Sequence, residues 1–385
     1  MSEFSGYYRG DGQVGVRNIL LVLSTGGLTG QTARRIGQSI AGAVTVALPY
    51  GSGLLGQDSD VQLASIKGLA SHPNVGATLL VGDNAKLLEL ATAHLSTAGR
   101  TYAALSLDEC RHDALTLTDR GLRAAAQLAR EISAQRPQPA PISALTIGLE
   151  CGRSDPSSGL VANPLVGLMA DRIVDAGGRA IIGETLEWLG AEHLLAARAR
   201  SGAVAERISA AVVARERAAI AAGVDLNGNN PSPTNIASGL SSIEEKSFGN
   251  IAKSGSNPIE GLLRYGEAPH GPGLWVMDAP AYAPESVTGF VVAGAQIILF
   301  TTGAGNSYVS ALAPTLKISA NPASRSNLIE QLDFDASPVF RGVSTLAAAS
   351  DALYKLLTEV ASGQSTWGEV LKEGDEVVSR FGAAL

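Results

Sequence analysis

Short apolar runs alternate along this chain with stretches whose apolar residues fall at helical spacing. Runs at 19–23, 43–48, 77–81 and 102–107 read as strands, and the stretches 31–41, 61–70, 85–96 and 119–134 between and after them read as helices. Strict alternation with short connections predicts a mostly parallel sheet covered on both faces. Residues 135–143, Q-R-P-Q-P-A-P-I-S, hold three prolines and end the pattern, which places a first domain at 1–136 and a second at 142–385. The second domain resumes with a strand at 144–149. Asn163 and Pro164 then read as N-cap and first position of a helix. Further strands are expected at 180–182, 274–277, 296–300 and 316–319, and helices at 203–222, 286–294 and 344–363. The fold class expected is α/β, with two doubly wound, mostly parallel-sheet domains. Residues 1–18 read as a leading arm or edge strand, and 225–273 as a long, poorly periodic segment of the kind that carries function.

Composition narrows the classes. A length of 385 residues gives room for two cores. A net charge of −7 with no basic stripe excludes a nucleic-acid protein, since phosphate binding needs clustered Lys and Arg. No apolar run reaches the ~20 residues that span a bilayer, and residues 1–12 lack the features of a secretory leader, so a cytoplasmic location is expected. The two cysteines, Cys110 and Cys151, build no disulfide framework.

The 44 glycines cluster where the strands end, as a backbone does where it approaches a ligand. In open parallel sheets ligands sit beyond the carboxyl ends of the strands. In the second domain that rule collects Cys151 to Ser158, Glu184 with Glu187, Asp278 with Glu285, and Thr301, Thr302 and Asn306. With Lys246, Lys253 and Lys317 these offer a hard-cation site or a Glu/Lys acid–base pair. Proton transfer beside a carboxylate cradle is what elimination from a hydroxy acid requires. Cys151 reads equally as a buried small residue or a nucleophile, and Asp155 as a loop brace or a ligand.

Long motifs carry a resemblance. They are G-Y-Y-R-G-D-G-Q-V-G-V-R-N at 6–18, H-P-N at 72–74, E-C-G-R-S-D-P-S-S-G-L-V-A-N-P at 150–164 and G-E-T-L-E-W-L-G-A-E-H at 183–193. S-S-I-E-E-K-S at 241–247, I-A-K-S-G at 251–255, M-D-A-P-A-Y-A-P-E-S at 277–286 and T-T-G-A-G-N-S at 301–307 complete the set. The chain resembles the altronate and galactarate dehydratase family, whose relatives include the large subunit of sulfolactate sulfo-lyase. The resemblance implies a lyase that eliminates water, or another β-leaving group, from a small hydroxylated carboxylate such as a sugar acid. It also implies a divalent metal (iron, manganese or magnesium), a separate small subunit and a homo-oligomer. One departure bears on the metal. Leu28, residues 50–54 beginning at Tyr50, and Ala85-Lys86 stand where the family carries first-domain cysteines, and none supplies a thiol.

The catalytic residues expected are therefore Glu184, Glu245, Lys246 and Asp278. Substrate contacts are expected from Cys151, Asp155, Ser158, Asn163, Lys253, Glu285, Thr301, Thr302, Asn306 and Tyr50, with no metal ligands assigned. The stretch 148–167 is read as one wall of a carboxylate pocket. Two other readings stand beside the lyase: an isomerase or hydrolase on a related carboxylate, and a catalytically silent binding subunit.

Overall fold

A computed structural model describes residues 3–51, 53–226 and 230–382. A four-stranded parallel sheet runs in the order Ala43–Ala47, Ile19–Ser24, Val75–Gly82, Thr101–Ser106. A seven-stranded parallel sheet follows in the order Ile259–Leu263, Gly273–Met277, Arg179–Ile182, Thr146–Cys151, Ile297–Thr301, Thr315–Ser319, Phe334–Asp335. The central strands are buried along almost their whole length and mostly apolar, as strands covered on both faces are. The expected α/β class with parallel sheets is what the chain adopts.

Three features differ from the sequence reading. The proline-rich 135–143 segment contains the strand Gln138–Pro141, which pairs antiparallel with Glu3–Tyr8; that strand also pairs with Val14–Gly15. Prolines are tolerated there because this small sheet leaves their nitrogens unpaired. Residues 225–273 are built as the helices Pro233–Ala237 and Ile243–Ala252 and the strand Ile259–Leu263. Ser232 and Ser242 cap the two helices, each accepting from a backbone N–H. Asn163 is not an N-cap: helical structure already begins at Pro156 and passes through a single π-turn at Ser158–Ala162, and Asn163 opens the helix Asn163–Asp175 behind it. Its side chain is spent elsewhere, donating to the Gly249 carbonyl and accepting from Thr301 Oγ1.

The helices Gln57–Ala70 and Ala283–Val292 pack together between the two parallel sheets. Leu21, Leu23 and Leu69 share one apolar core with Met277, Phe290 and Phe300. The H-P-N motif holds the two parts together. The His72 ring bonds the Ala295 carbonyl, and Asn74 donates to the carbonyls of Gln296 and Leu312 while accepting from Val16 N. Burial pushes the His72 pKa down to about 3, which keeps this ring neutral.

The strand order of the larger sheet reverses direction at Thr146–Cys151. The chain passes from it to Arg179–Ile182 on one side and later to Ile297–Thr301 on the other. A crevice opens beyond the carboxyl ends of strands at such a switch point, and Cys151 is the last residue of the strand that lies there.

Candidate active site

Seven side chains from three segments meet at this switch point. Glu150 and Cys151 end the central strand. Glu184 follows the strand Arg179–Ile182, and Glu187 lies in the 3₁₀ turn Thr185–Trp188. Asn250 is on the helix Ile243–Ala252 and Lys253 is its C-cap. Lys246 lies on the same helix, so that Lys246, Asn250 and Lys253 fall at i, i+4 and i+7 and share one face. Two glycines permit the approach. A Cβ on Gly152 would lie 2.6 Å from Asn306 Nδ2 and 3.0 Å from the Phe300 ring, and one on Gly167 would lie 2.4 Å from the Ala252 carbonyl oxygen.

Lys253 is fully buried, while Glu184 and Cys151 are 2% and 3% exposed. Lys253 Nζ stands 3.1 Å from Glu184 Oε2, 3.3 Å from Cys151 Sγ and 4.0 Å from Glu150 Oε1. Asn250 Nδ2 donates to Glu187 Oε2 at 2.7 Å, to Glu184 Oε2 at 3.3 Å and to Cys151 Sγ at 3.5 Å. Lys246 pairs with Glu187 Oε1 at 2.5 Å and donates to Asn230 Oδ1. Glu184 and Arg153 hold left-handed backbones, φ 65° and 53°, a conformation that costs a non-glycine residue of order 1–3 kcal/mol and gathers at functional sites.

The electrostatics follow from burial. Desolvation, with the Glu150 charge adding to it, holds the Glu184 carboxyl well above the usual carboxylate range. Desolvation and the Glu184 charge raise Glu187 as well. Burial raises the Cys151 pKa and keeps it a thiol, against the pull of Lys253. For Lys253, burial disfavours the ammonium, but Cys151, Glu184, Glu150 and Glu187 together outweigh it and the pKa rises. Lys246 behaves likewise, with Glu187 reversing the effect of burial. The cluster thus combines a carboxyl able to change protonation with two lysines that rest in the protonated form.

Among the described residues, Cys151, Glu184 and Glu187 form a group whose donor atoms lie within 4.8 Å of one another, as metal ligands would. Their arrangement does not fit a resident divalent ion. Every one of those donor atoms that faces inward already accepts from the Lys253 ammonium or the Asn250 amide. An ion placed among them would stand beside a buried positive charge and would have to displace it. The first-domain positions supply no thiol either: Leu28 is exposed on the surface, and Tyr50 stacks beneath Arg380 at 5.8 Å.

A cleft of about 290 Å³ opens onto this cluster and is lined by Cys151, Arg153, Glu184, Glu187, Asn230 and Lys246, among others. Asn306 lines it too, its Oδ1 accepting from Tyr308 N. Among the described residues, none of the others expected from the sequence hydrogen-bonds a side chain of the cluster, although Thr301 Oγ1 donates to the Glu150 carbonyl at 3.4 Å. Asp155 Oδ1 accepts from Ser157 Oγ, Ser158 N and Ser158 Oγ, and its Oδ2 from Asn321. Thr301 bonds Asn163, and Thr302 Oγ1 accepts from Gly305 N. Glu245 is exposed and accepts twice from Ser241, which lowers its pKa. With Asp155, Asn163 and Lys246 it borders a neighbouring cavity of about 270 Å³. Asp278 accepts from Thr185 Oγ1 at 2.8 Å and pairs with Arg215 at 2.9 Å, facing a cavity of about 770 Å³ toward the helix Gln57–Ala70. Glu285 lies in the first turn of Ala283–Val292, its carbonyl accepting from Tyr265 OH. The Tyr50 carbonyl accepts from Gln62.

Glu150, Asn250 and Asn230 were not singled out from the sequence, and Arg153 entered only as part of the loop Cys151 to Ser158, with no role assigned. Two signals were present: an acid closing an otherwise apolar central strand, and an amide at helical spacing between two lysines.

Residues 142–384 match the family model described as D-galactarate/altronate dehydratase, C-terminal, and residues 6–133 the model described as D-galactarate dehydratase/altronate hydrolase, second domain. The chain belongs to the galactarate and altronate dehydratase family. It is 33% identical to the (2R)-sulfolactate sulfo-lyase subunit beta of Chromohalobacter salexigens over 98% of this chain and 97% of that one. It is 30% identical to the altronate dehydratases of Escherichia coli and Bacillus subtilis over 94% of its own length and 74% of theirs. Among the described residues no helix is long and apolar enough to cross a membrane.

Proposed function

We propose that this protein is a lyase that eliminates a β-leaving group from a small hydroxylated carboxylate, with Glu184 as its proton-transfer group. The observation that carries the reading is the buried Glu184 carboxyl, held against Lys253 and Asn250 with a raised pKa on the wall of an open cleft. A group of that kind matches the work of abstracting a proton next to a carboxylate near neutral pH. Glu184 takes the hydrogen from the carbon bearing the carboxylate, and the electron pair moves to form the new double bond. The leaving hydroxyl departs from the next carbon with a proton from Lys246, which Glu187 orients. The products are water and an enol that tautomerises to a 2-keto acid. Lys253 stays protonated and offsets the charge beside Glu184. No step is routed through a metal.

The names of the relatives support this chemistry: two are dehydratases of altronate and one is a sulfo-lyase acting on (2R)-sulfolactate, all eliminations from hydroxylated carboxylates. The relative named a subunit beta also supports a separate partner subunit for this chain.

The test is a panel of altronate, galactarate and (2R)-sulfolactate, with keto-acid formation read by a carbonyl reagent. At least one compound should yield a keto acid, and Glu184→Gln should slow that reaction by about 10²- to 10⁴-fold with the fold intact by circular dichroism. Full activity in Glu184→Gln would remove this residue from the mechanism.

A further inference from the structure

The residues that bind the substrate's own carboxylate are still to be identified. Asp155, Ser158 and Asn163 bond to one another's neighbours and to Asn321, Gly249 and Thr301, so they have little capacity left. Of the ionisable side chains lining the cleft, Cys151, Glu184, Glu187 and Lys246 are all engaged with one another or with Lys253 and Asn250. Arg153 lines the same cleft, is exposed, and makes no ion pair or side-chain hydrogen bond with any described residue. It is nevertheless held in place. Its backbone is left-handed, and its carbonyl accepts from Gly303 N at 3.2 Å and Ala304 N at 3.1 Å.

Asn230 adds a second donor. It is only 6% exposed, and its Oδ1 is taken by the Lys246 ammonium, which fixes which end of the amide is oxygen. Its Nδ2 is buried with no partner. A buried donor left without an acceptor is costly unless a ligand supplies one.

Resting on the lyase reading above, we propose that Arg153 and Asn230 seat the substrate's carboxylate at the cleft. Charge supports this. Glu150, Glu184 and Glu187 are balanced against Lys246 and Lys253, and with Glu184 disposed to carry a proton the cluster is close to neutral. A substrate carboxylate entering the cleft needs a cation of its own, and the guanidinium fork matches it with two parallel hydrogen bonds. Thr234 and Asn306 line the same cleft and carry polar groups suited to a substrate's hydroxyls.

The experiment measures binding by calorimetry of glycerate, tartrate and gluconate to wild type, Arg153→Gln, Arg153→Lys and Asn230→Asp. Arg123→Gln, which changes a surface residue paired with Asp119, serves as control. The expected result is that Arg153→Gln weakens the best of these ligands about tenfold or more, Arg153→Lys weakens it less, and Arg123→Gln leaves it unchanged. Asn230→Asp, which keeps the Lys246 acceptor but removes the donor and adds a charge, should also weaken it. In turnover the Arg153→Gln loss should be larger in KM than in kcat. Wild-type affinity in Arg153→Gln, with turnover intact, would overturn the seat and leave the lyase reading standing. Failure of the wild type to bind any of the three, with no turnover in the panel, would overturn both.

Discussion

At the scale of single residues, burial decides which groups are chemically poised. Lys317 shows the effect without a partner. It is 2% exposed, lies 3.4 Å from the centre of the Phe300 ring, and its Nζ has no hydrogen-bond acceptor. Desolvation lowers its pKa to about 7 from 10.5, against the raising effect of Asp333. The unfolded chain therefore binds more protons than the folded one between those two values, so this residue's penalty is full below pH 7 and fades toward 10.5. Lys317→Met should accordingly stabilise the protein, with a larger rise in Tm at pH 6 than at pH 9; an equal rise at both would contradict the titration. Arg153 was hard to read from the sequence for a related reason. Its availability depends on a left-handed backbone and on what its neighbours bond to, neither of which a residue letter displays.

At the scale of elements, the site depends on how closely the helix Ile243–Ala252 approaches the central strand. Gly167 on the helix Asn163–Asp175 sets that distance, since a Cβ there would meet the Ala252 carbonyl oxygen, next to Lys253. Gly167→Ala should cost about 1–3 kcal/mol of stability from overpacking. It should also lower kcat although it removes no polar atom, with denaturation and steady-state kinetics as the readouts; unchanged kcat would show that the helix position is not critical. The parallel sheets and most of their helices were legible, because runs such as 19–23 and 77–81 are buried on both faces and therefore mostly apolar. The two helices within 225–273 were not, because they are short and defined by the caps Ser232 and Ser242 more than by any apolar period. The same limit applies to the site. Strand ends pointed toward Cys151 and Glu184, but Asp278 and Glu245 also follow or open elements, and only the fold reveals that Arg215 and Ser241 engage them.

At the scale of the whole molecule, two parallel sheets share one apolar core, and the candidate cleft is lined by residues that follow the larger sheet alone. The other sheet braces it through His72 and Asn74. Because the Lys253 ammonium and the Asn250 amide already engage the donor atoms of Cys151, Glu184 and Glu187, protein purified without chelator should carry divalent metal well below one ion per chain, and turnover should survive EDTA. A stoichiometric ion lost together with activity would contradict that reading. The central claim, proton abstraction by Glu184, is tested most directly by exchange of the substrate's α-hydrogen in D₂O, followed by NMR on the panel compound that reacts. The wild type should incorporate deuterium at, or lose the hydrogen from, the carbon bearing the carboxylate, and Glu184→Gln should do neither at a measurable rate. Exchange at the wild-type rate in Glu184→Gln would contradict the account.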